Sequence, residues 1–382
     1  MPATRPMSAE NLLIVADSER DANMLYAVGM FVPDPFIFLR LGDQSQIVLN
    51  DLEIDRGRKQ AQHCQIVSLS RCLQQVRRNG AKARGFAHVI RMLARTHGVK
   101  KLLVPETFPY GLARELRRLK LRLKVKSPQF FPEREFKTAE EVKKISAALM
   151  MAEVGMAEGI QALKNAKVGS GGKLYYHSVL LTSEKLRSVI DTAVIQAGGV
   201  ANHTIVACGK QGCDPHEVGH GPLRANQPII LDIYPRSQKT GYFGDITRTV
   251  VKGRAPEAVR KLYHTVRAAQ DLGLALVRDQ AKGKEVHQAV QEFFTKQGYR
   301  TGRVRGRMEG FFHGTGHGLG LEIHEAPRLG VNSDSTLRPG HVVTVEPGLY
   351  YPPMGGVRLE DVALVTTNGA RNLSKFEKVL EV

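Results

Sequence analysis

Several features are missing from this 382-residue sequence, and each absence narrows what the protein can be. Tryptophan is absent. The four cysteines form neither a CxxC pair nor a Cys/His ligand spacing, and this pattern favours free thiols in a reducing compartment. The apolar run at residues 12–16 is far too short to cross a bilayer. Residues 1–5 lack the basic-then-apolar layout of a secretory signal. We therefore expect a cytoplasmic protein without a membrane segment.

Basic residues are in excess, and the formal net charge is +18. Residues 1–136 contain 23 Lys/Arg and 13 Asp/Glu, and residues 137–382 contain 32 and 24, so the excess is spread over both parts. The densest basic stretch runs from Arg114 to Lys126. Basic faces can follow phosphates, but the solvated face of an edge helix and strand is the commoner source of such a stretch. Because no aromatic residue interleaves it for stacking, we do not expect a nucleic-acid partner.

The first part of the chain alternates short apolar runs with helical patterns, which predicts a small α/β domain over residues 1–136. The predicted strands are 12–15, 36–39, 47–49, 66–69 and 102–104, and the predicted helices are 85–97 and 111–119.

A second domain is predicted over residues 137–382. Its first helix opens with Thr138 and Glu141, which have the spacing of a capping box. Further helices are predicted at 182–197, after Pro256, and at 285–297, and strands at 228–233, 245–251, 341–346 and 357–365. Helices combined with hairpins that carry acidic residues indicate an α+β catalytic domain.

Acidic side chains and one histidine stand in five separate segments of this second domain: Asp232, Asp245, His317, Glu346 and Glu360. Carboxylates that crowd together in a site of low dielectric repel one another, which raises their pKa values. Two divalent cations would balance the four negative charges. The pattern therefore predicts a hydrolase in which two metal ions activate one water. Oxygen ligands with a single imidazole favour manganese, cobalt, iron or zinc over a cysteine-rich structural zinc site. Of these four metals, we expect manganese first.

The positions of these side chains were predicted from local patterns. Asp232 ends an apolar run and Asp245 follows a turn-rich segment, which predicts a hairpin that brings the carboxylates together, although aspartates also favour turns without any ligand. Residues 357–365 are predicted as one strand on which Arg358 and Glu360 share a face. Arg358 is then either an ion-pair partner on a sheet or a guanidinium that orients a ligating carboxylate.

The segment around His317 is rich in glycine and histidine. A dinucleotide-binding glycine loop would lie between an early strand and a helix, whereas this segment lies late in the chain among strands. Glycine here is better explained by a close approach of the backbone to a crowded metal site. His313, His317 and His324 follow one another at intervals of four and seven residues, which packing alone explains poorly.

These residues resemble the pita-bread metallopeptidases, which include aminopeptidase P, prolidase and methionine aminopeptidase, with creatinase as a relative of different chemistry. The resemblance is dense over residues 137–382 and rests on size and layout in the N-terminal part. It implies an α+β pita-bread catalytic domain preceded by a smaller creatinase-like α/β domain. The large N-terminal domain favours the aminopeptidase P and prolidase branch.

The resemblance implies roles for the five candidate ligands. Asp232 would chelate one metal, Asp245 and Glu360 would bridge both, and His317 and Glu346 would hold the other. Glu346 also matches the family's proton-handling glutamate.

Three further histidines match catalytic positions of the family, with packing or capping as the alternative for each. His216 matches a substrate-facing histidine, and His220 is a rival whose spacing to Asp232 is short. His324 matches the histidine that hydrogen-bonds the scissile peptide and the oxyanion. His313 matches an additional active-site histidine of the aminopeptidase P and prolidase branch.

The implied activity is hydrolysis of the N-terminal peptide bond of Xaa-Pro substrates, dipeptides or longer peptides, through a metal-bridging hydroxide. Alternatives are a non-catalytic protein of the same fold that binds nucleic acid or ribosomes, a metallopeptidase of different N-terminal specificity, and a creatinase-like amidinohydrolase. The chain departs from the family at residues 232–236, which read Asp-Ile-Tyr-Pro-Arg where many relatives have Asp-x-Gly, and at Glu217, where an aromatic residue is frequent. Both departures affect the rim of the pocket. The family also implies a homo-oligomer, either a dimer or a tetramer.

Overall fold

A computed structural model of the chain describes residues 10–79 and 85–382. The stretch 1–5, which was compared with a secretory signal, lies outside the described residues. Contacts between Cα atoms divide the chain into two compact units, 1–132 and 133–382, whereas the sequence placed the boundary after residue 136. All four cysteines are unpaired, as predicted. Throughout 10–79 and 85–382, each helix is too short or too polar to cross a membrane.

The first unit is an α/β domain. Its strands are Leu12–Ala16 (β1), Phe36–Leu41 (β2), Gln44–Leu49 (β3), Gln65–Ser68 (β4), Lys101–Val104 (β5) and Arg122–Val125 (β6). Its helices are Ala22–Val28 (α1), Ile54–Gln60 (α2), Leu69–Arg78 (α3), Phe86–Thr96 (α4) and Tyr110–Arg118 (α5).

One six-stranded sheet, in the order β4-β3-β2-β1-β5-β6, organises this unit. Alternate residues of the central strands enter two separate cores: Leu13 and Val15 face one side, whereas Leu12 and Ile14 face the other. Residues of α3, α4 and α5 belong to the first core, and residues of α1 belong to the second. The sheet therefore has helices on both faces, as an α/β domain requires.

The sequence patterns predicted most of these elements but missed the helices α1, α2 and α3 and the edge strand β6. The strand predicted at 66–69 ends at Ser68, because the Ser68 hydroxyl accepts a hydrogen bond from the N–H of Arg71 and caps α3. Helix α1 has a similar cap, since the Asp21 carboxylate accepts from the N–H of Met24. The missed helices are short, with seven residues in α1, seven in α2 and ten in α3, so each offers only two or three turns of apolar periodicity.

The second unit combines long helices with several small sheets. Its helices are Ala139–Asn165 (α6), Ser183–Gln196 (α7), Glu257–Leu276 (α8) and Gly283–Lys296 (α9). Its first strands are Lys167–Val168 (β7), Leu174–Tyr176 (β8), Val179–Leu180 (β9), Gly199–Val200 (β10), Ile205–Cys208 (β11), Pro228–Ile233 (β12), Arg236–Ser237 (β13) and Ile246–Val251 (β14). The later strands are Gly302–Val304 (β15), Arg307–Glu309 (β16), Gly316–Gly318 (β17), Glu325–Leu329 (β18), Val342–Val345 (β19), Gly348–Tyr351 (β20), Gly355–Arg358 (β21), Asp361–Thr366 (β22) and Gly369–Asn372 (β23).

Three groups of strands carry the functional side chains. They are the sheet β11-β12-β14, the five-stranded sheet β18-β17-β19-β22-β23 and the hairpin β20-β21. Helix α6 packs against β12 and β14, and the predicted capping box of Thr138 and Glu141 is present at its start. A Cβ atom at Gly244 would lie 2.4 Å from the carbonyl carbon of Ala148, so glycine allows the close contact with α6.

One prediction in this unit is wrong. Residues 357–365 do not form a single strand, because β21 ends at Arg358 and β22 begins at Asp361 in a different sheet. At the break, the N–H of Glu360 donates to the carbonyl oxygen of Thr247, 3.1 Å away. The chain thereby leaves the hairpin for the five-stranded sheet, and a two-residue connection rather than strand alternation positions Glu360.

Candidate metal centre and active site

The predicted hairpin between Asp232 and Asp245 is confirmed. Strands β12 and β14 are antiparallel, with Asp232 opposite Thr247, and Asp245 immediately precedes β14. Both carboxylates line a single cavity of about 650 Å³.

His317 lies on β17, between β18 and β19. Its Nδ1 is 3.2 Å from the carbonyl oxygen of Gly318, which can only accept, so Nδ1 donates this hydrogen bond. The other nitrogen, Nε2, lies 3.2 Å from Oε1 of Glu346 and 3.7 Å from Oδ2 of Asp245. Nε2 is therefore the ring nitrogen that faces the carboxylates, and it is the atom that would coordinate a metal.

Glycines allow the strands around His317 to approach one another. A Cβ atom at Gly316 would lie 1.9 Å from the carbonyl oxygen of Thr344, and one at Gly318 would lie 2.2 Å from that of Ala326. Both positions therefore exclude any side chain, which supports the close-approach explanation of this glycine-rich segment.

Glu360 is 2% exposed, and its two carboxylate oxygens differ. Oε2 accepts a hydrogen bond of 2.8 Å from the hydroxyl of Thr247. Oε1 is buried and has no hydrogen-bond partner among the residues that the structure describes. A buried carboxylate oxygen without a donor carries a desolvation cost, and a bound cation would remove it.

Asp245, His317 and Glu360 form the tightest group of candidate ligands, since each offers one atom and these atoms all lie within 4.8 Å of one another. Burial and the nearby carboxylates, Glu360 first, raise the pKa of Asp245 well above its usual value. Burial and the charge of Glu346 raise the pKa of Glu360 in the same way. Without a cation, both groups therefore favour their protonated forms.

Glu346 behaves differently, although it lines the same cavity. Burial would raise its pKa, but the hydrogen bond and charge of His317 outweigh burial and lower the pKa to about 2. The donor set as a whole, four carboxylates and one imidazole with an unpartnered buried oxygen, fits hard or borderline divalent cations.

A buried hydrogen-bond chain runs beside these ligands. Arg358 donates from Nη2 to Oδ2 of Asp232 at 2.6 Å and from Nη1 to the Tyr350 hydroxyl at 3.0 Å. The Tyr350 hydroxyl donates in turn to Nε2 of His313 at 2.8 Å, because the Nδ1 of His313 donates to Gly314. Burial lowers the pKa of His313 to about 4, so the imidazole is neutral at neutral pH.

His324 and His216 complete the predicted set on the walls of the cavity. The His324 ring lies edge-on to that of His317, with centroids 4.4 Å apart. Burial and the neighbouring His317 lower the pKa of His324 to about 4. His216 lines the cavity, whereas His220 is not among its lining residues and lies 3.7 Å from Glu217.

Ion pairs fix the segment that carries His324. Glu325, the next residue, accepts from Nζ of Lys137 at 2.5 Å and from Nη2 of Arg134 at 2.8 Å. The same Arg134 nitrogen lies 2.7 Å from Glu322. Because the Lys137 side chain is only 1% exposed, this pairing is shielded from solvent.

All nine predicted site residues line this one cavity: His216, Asp232, Asp245, His313, His317, His324, Glu346, Arg358 and Glu360. Sequence reasoning missed Thr247 and Tyr350, which hold Glu360 and Arg358. A signal for Thr247 was available, since Asp245, Thr247 and Thr249 alternate as polar residues on one face of a strand. Tyr350 stands in an ordinary apolar strand, where nothing local marks it.

Comparison with known proteins finds peptidases among both the similar sequences and the similar structures. A Bacillus subtilis protein described as uncharacterized peptidase YqhT is 39% identical over 176 residues, and this match spans 46% of the present chain and 47% of that protein. An Xaa-Pro dipeptidase of Pyrococcus horikoshii is 30% identical over 291 residues, which span 74% of this chain and 75% of that protein. The solved structure of an Xaa-Pro dipeptidase from Bacillus anthracis superposes with a TM-score of 0.81 at 25% identity, over 98% of this chain and 95% of that chain.

The fold predicted from the sequence, a pita-bread domain preceded by a smaller α/β domain, is confirmed by this structural similarity. The sequence profile described as metallopeptidase family M24 matches residues 143–367, which include all five candidate ligands. Since this match covers more than half of the sequence, the chain belongs to metallopeptidase family M24.

Proposed function

We propose that this protein is an exopeptidase with two metal ions that hydrolyses the N-terminal peptide bond of Xaa-Pro substrates. The observation that carries the proposal is the convergence of four carboxylates and one imidazole in one cavity, with a buried oxygen of Glu360 left unpartnered. The names of relatives, Xaa-Pro dipeptidase and Xaa-Pro aminopeptidase, support the substrate class.

Asp232, Asp245, His317, Glu346 and Glu360 would hold two divalent cations, with manganese as the first candidate. When bound, such ions polarise a carbonyl oxygen and lower the pKa of a coordinated water to about 7. The chain's contribution is a rigid set of ligands: Thr247 fixes Glu360, and the Gly318 carbonyl fixes the tautomer of His317.

Two side chains would act on the substrate directly. His324 is neutral at neutral pH, since its pKa is lowered to about 4 by burial and by His317, and its N–H can donate to the carbonyl oxygen of the scissile bond as negative charge develops there. The carboxylate of Glu346 would take up a proton and deliver it to the proline nitrogen that leaves.

Arg358, Tyr350 and His313 would position the ligands rather than react. Both ring nitrogens of His313 are engaged, by Tyr350 and Gly314, so this histidine has no free donor for a substrate. Its role would be to orient the Tyr350 hydroxyl, which together with Asp232 holds the guanidinium of Arg358.

One side chain on the wall of the cavity, Arg328, is relevant to the length of the substrate. Arg328 is exposed and lines the same cavity as the ligands. A guanidinium binds a carboxylate through two parallel hydrogen bonds, so Arg328 would favour substrates whose C-terminal carboxylate lies close to the scissile bond. This supports a preference for dipeptides over longer Xaa-Pro peptides.

The test is hydrolysis by purified protein that is stripped with a chelator and reloaded with manganese, cobalt or zinc. Substrates are an Xaa-Pro dipeptide, an Xaa-Pro tripeptide and the matching Xaa-Ala dipeptide. We expect turnover only after reloading and only with proline second, and loss of turnover in Asp245→Ala and Glu360→Ala. Full activity in either variant, or equal activity on Xaa-Ala, would refute the proposal.

A further inference from the structure

Charge is unevenly distributed within the N-terminal unit. Residues 69–126 contain sixteen Lys/Arg and two Asp/Glu, whereas residues 10–68 contain five Lys/Arg and nine Asp/Glu. The charge total for residues 1–136 conceals this separation, because the negative charge of the acidic segment offsets part of the positive charge of the basic one. The excess of positive charge in this unit therefore comes from one continuous segment.

The fold places these two segments on different sides of the six-stranded sheet. Helices α3, α4 and α5, all from the basic segment, pack on the core that contains Leu13 and Val15. Helix α1, from the acidic segment, packs on the core of Leu12 and Ile14, and Gly57 of α2 contacts Leu49 of that same core. The outward sides of α3, α4 and α5, together with the edge strand β6, are called the basic face below.

Arginines dominate the exposed positions of the basic face. Arg71, Arg77 and Arg78 are exposed on α3, and Arg114, Arg117 and Arg118 are exposed on α5. Positions 114, 117 and 118 share one side of the helix, because residues three and four apart are neighbours there. Helix α4, on which Arg95 is exposed, packs against both α3 and α5, so the three helices that carry these arginines form one layer.

Within the part of the chain that the structure describes, these cations have no neutralising side-chain partner. Among the described residues from 69 to 124, no Lys or Arg side chain makes an ion pair or a hydrogen bond. On the opposite side of the sheet, by contrast, Arg56 pairs with Glu53 and Arg58 pairs with Asp55. Unpaired like charges repel one another and raise the local potential by several kT, which attracts a polyanion.

A structural explanation accounts for part of the pattern. Arg77, Arg78, Arg117 and Arg118 lie in the last turns of α3 and α5, where positive charge stabilises a helix C-terminus by about 0.3–1 kcal/mol. That explanation does not cover Arg114 or the exposed side chains of β6. Basic residues on an edge strand also prevent edge-to-edge pairing, but this role requires none on the helices.

The composition of the face identifies the class of polyanion. Tyr110 is its exposed aromatic side chain among the described residues, at 78%, which is too little for the stacking that single strands require. Val125, 48% exposed, is the comparable aliphatic side chain, so the face has little to insert into a membrane. Guanidinium groups on the exposed sides of packed helices instead suit phosphates, which they bind through a planar fork of donors.

We propose that the basic face binds the phosphate backbone of a nucleic-acid duplex, without reading its sequence. This revises the expectation from sequence alone, which considered only the stretch from Arg114 to Lys126 and missed α3. The proposal is independent of peptidase activity, since it concerns the N-terminal unit only.

The experiment measures fluorescence anisotropy of a labelled 20-base-pair DNA duplex of mixed sequence titrated with the full-length protein between 50 and 200 mM KCl. We expect binding whose log affinity falls linearly with log salt concentration. The triple variant Arg114→Glu/Arg117→Glu/Arg118→Glu should weaken binding at least tenfold at 50 mM KCl and should reduce the salt slope by about three, given a slope of about 0.9 per phosphate contact.

The matched control is Arg20→Glu/Arg58→Glu/Lys59→Glu, which reverses three exposed charges of the acidic segment and changes the net charge equally. Its affinity for the duplex at 50 mM KCl should stay within about twofold of that of the parent protein, because these three side chains do not contact the phosphates. Circular dichroism melting checks that both variants fold. The proposal is overturned if the two triple variants weaken binding equally, if the parent does not bind at 50 mM KCl, or if vesicles with phosphatidylserine bind the parent more tightly than the duplex does.

Discussion

Arg358 donates a hydrogen bond of 2.6 Å to Asp232, and both side chains lie on the wall of the cavity that holds the other candidate ligands. Arg358 is 3% exposed, and its remaining donors reach Tyr350 and Thr247. One guanidinium therefore links a carboxylate ligand to the hydroxyl that holds Glu360. Arg358 therefore helps to position both Asp232 and Glu360.

Replacing Arg358 with lysine keeps the positive charge but removes the planar fork that reaches Asp232 and Tyr350 together. Loss of a group that orients metal ligands typically costs ten- to a hundredfold in metal affinity or activity, and we expect a loss of about that size in both. Isothermal titration with manganese and steady-state kinetics measure the two quantities. Arg267→Lys, at an exposed position of α8, is the control and should change neither. Unchanged metal affinity in Arg358→Lys would contradict the positioning role.

Tyr350→Phe should separate positioning from substrate binding. The change removes a fully buried hydroxyl that bridges Arg358 and His313, and it leaves two buried polar groups without this partner. We expect kcat to fall about tenfold or more while KM changes less than threefold, because the tyrosine does not contact the substrate in our account. Steady-state kinetics on an Xaa-Pro dipeptide give both parameters. A large rise in KM with normal kcat would show instead that Tyr350 binds the substrate.

Stability of the metal-free protein should depend on pH through Asp245 and Glu360. Their pKa values in the folded state are raised above the usual 3.8 and 4.5. The stability they contribute is therefore present below those usual values and is lost as pH rises through the raised ones. Glu346, lowered to about 2, loses its contribution only below pH 4.5 and does not alter this window. His313 and His324, whose pKa values are lowered to about 4, act in the opposite direction only below their usual value of 6.5. We therefore expect the Tm of chelated protein to fall as the pH rises from 6.5 to 8.

The variant Glu360→Gln tests the cause of this dependence. It removes one of the mutually repelling charges without changing the size of the side chain, so the metal-free Tm at pH 8 should rise and its pH dependence should flatten. A difference of one kcal/mol corresponds to about 2–4 °C for a unit of this size. Glu158→Gln, an exposed change on α6, is the matched control. A lower Tm in Glu360→Gln than in the parent at pH 8 would disprove carboxylate repulsion as the cause.

Glu325 is predicted to act on catalysis through His324. Glu325→Gln breaks the shielded ion pairs with Lys137 and Arg134, and removal of one partner of a buried pair typically costs about 3–5 kcal/mol of stability. We expect lower kcat as well, because the segment that carries His324 loses its anchor. A double-mutant cycle separates these effects. In a His324→Ala background, Glu325→Gln should still lower the Tm but leave kcat unchanged. A further loss of kcat there would show that Glu325 acts by another route.

Much of the site was predictable because its ligands stand at the ends of regular elements. The apolar run before Asp232 and the turns after it predicted the hairpin, and strand alternation after Asp245 also contained the signal for Thr247. Glu360 was assigned to the site for the wrong structural reason, because a two-residue connection between two sheets cannot be distinguished from a continuous strand when both flanks are apolar. Tyr350 could not be predicted, since its importance comes from residues distant in the sequence, Arg358 and His313.

The N-terminal unit shows a different limit. Its sheet was predicted from apolar runs, but α3 was missed because its exposed positions are arginine and glutamine around only a few apolar residues. The charge separation across the sheet therefore became visible only when the helices were assigned to their faces. Net charge summed over a sequence does not reveal such a pattern, because folding decides which charges become neighbours.

We expect the five ligand side chains to hold two cations together, and a count of bound ions is the direct test. Chelated protein can be titrated with cobalt while the visible absorption of the ligand field is followed, with total metal per chain measured by mass spectrometry. The account predicts saturation at two ions per chain for the parent and at fewer than two for Glu360→Gln. Saturation at one ion or none in the parent, or an undiminished count of two in the variant, would contradict it.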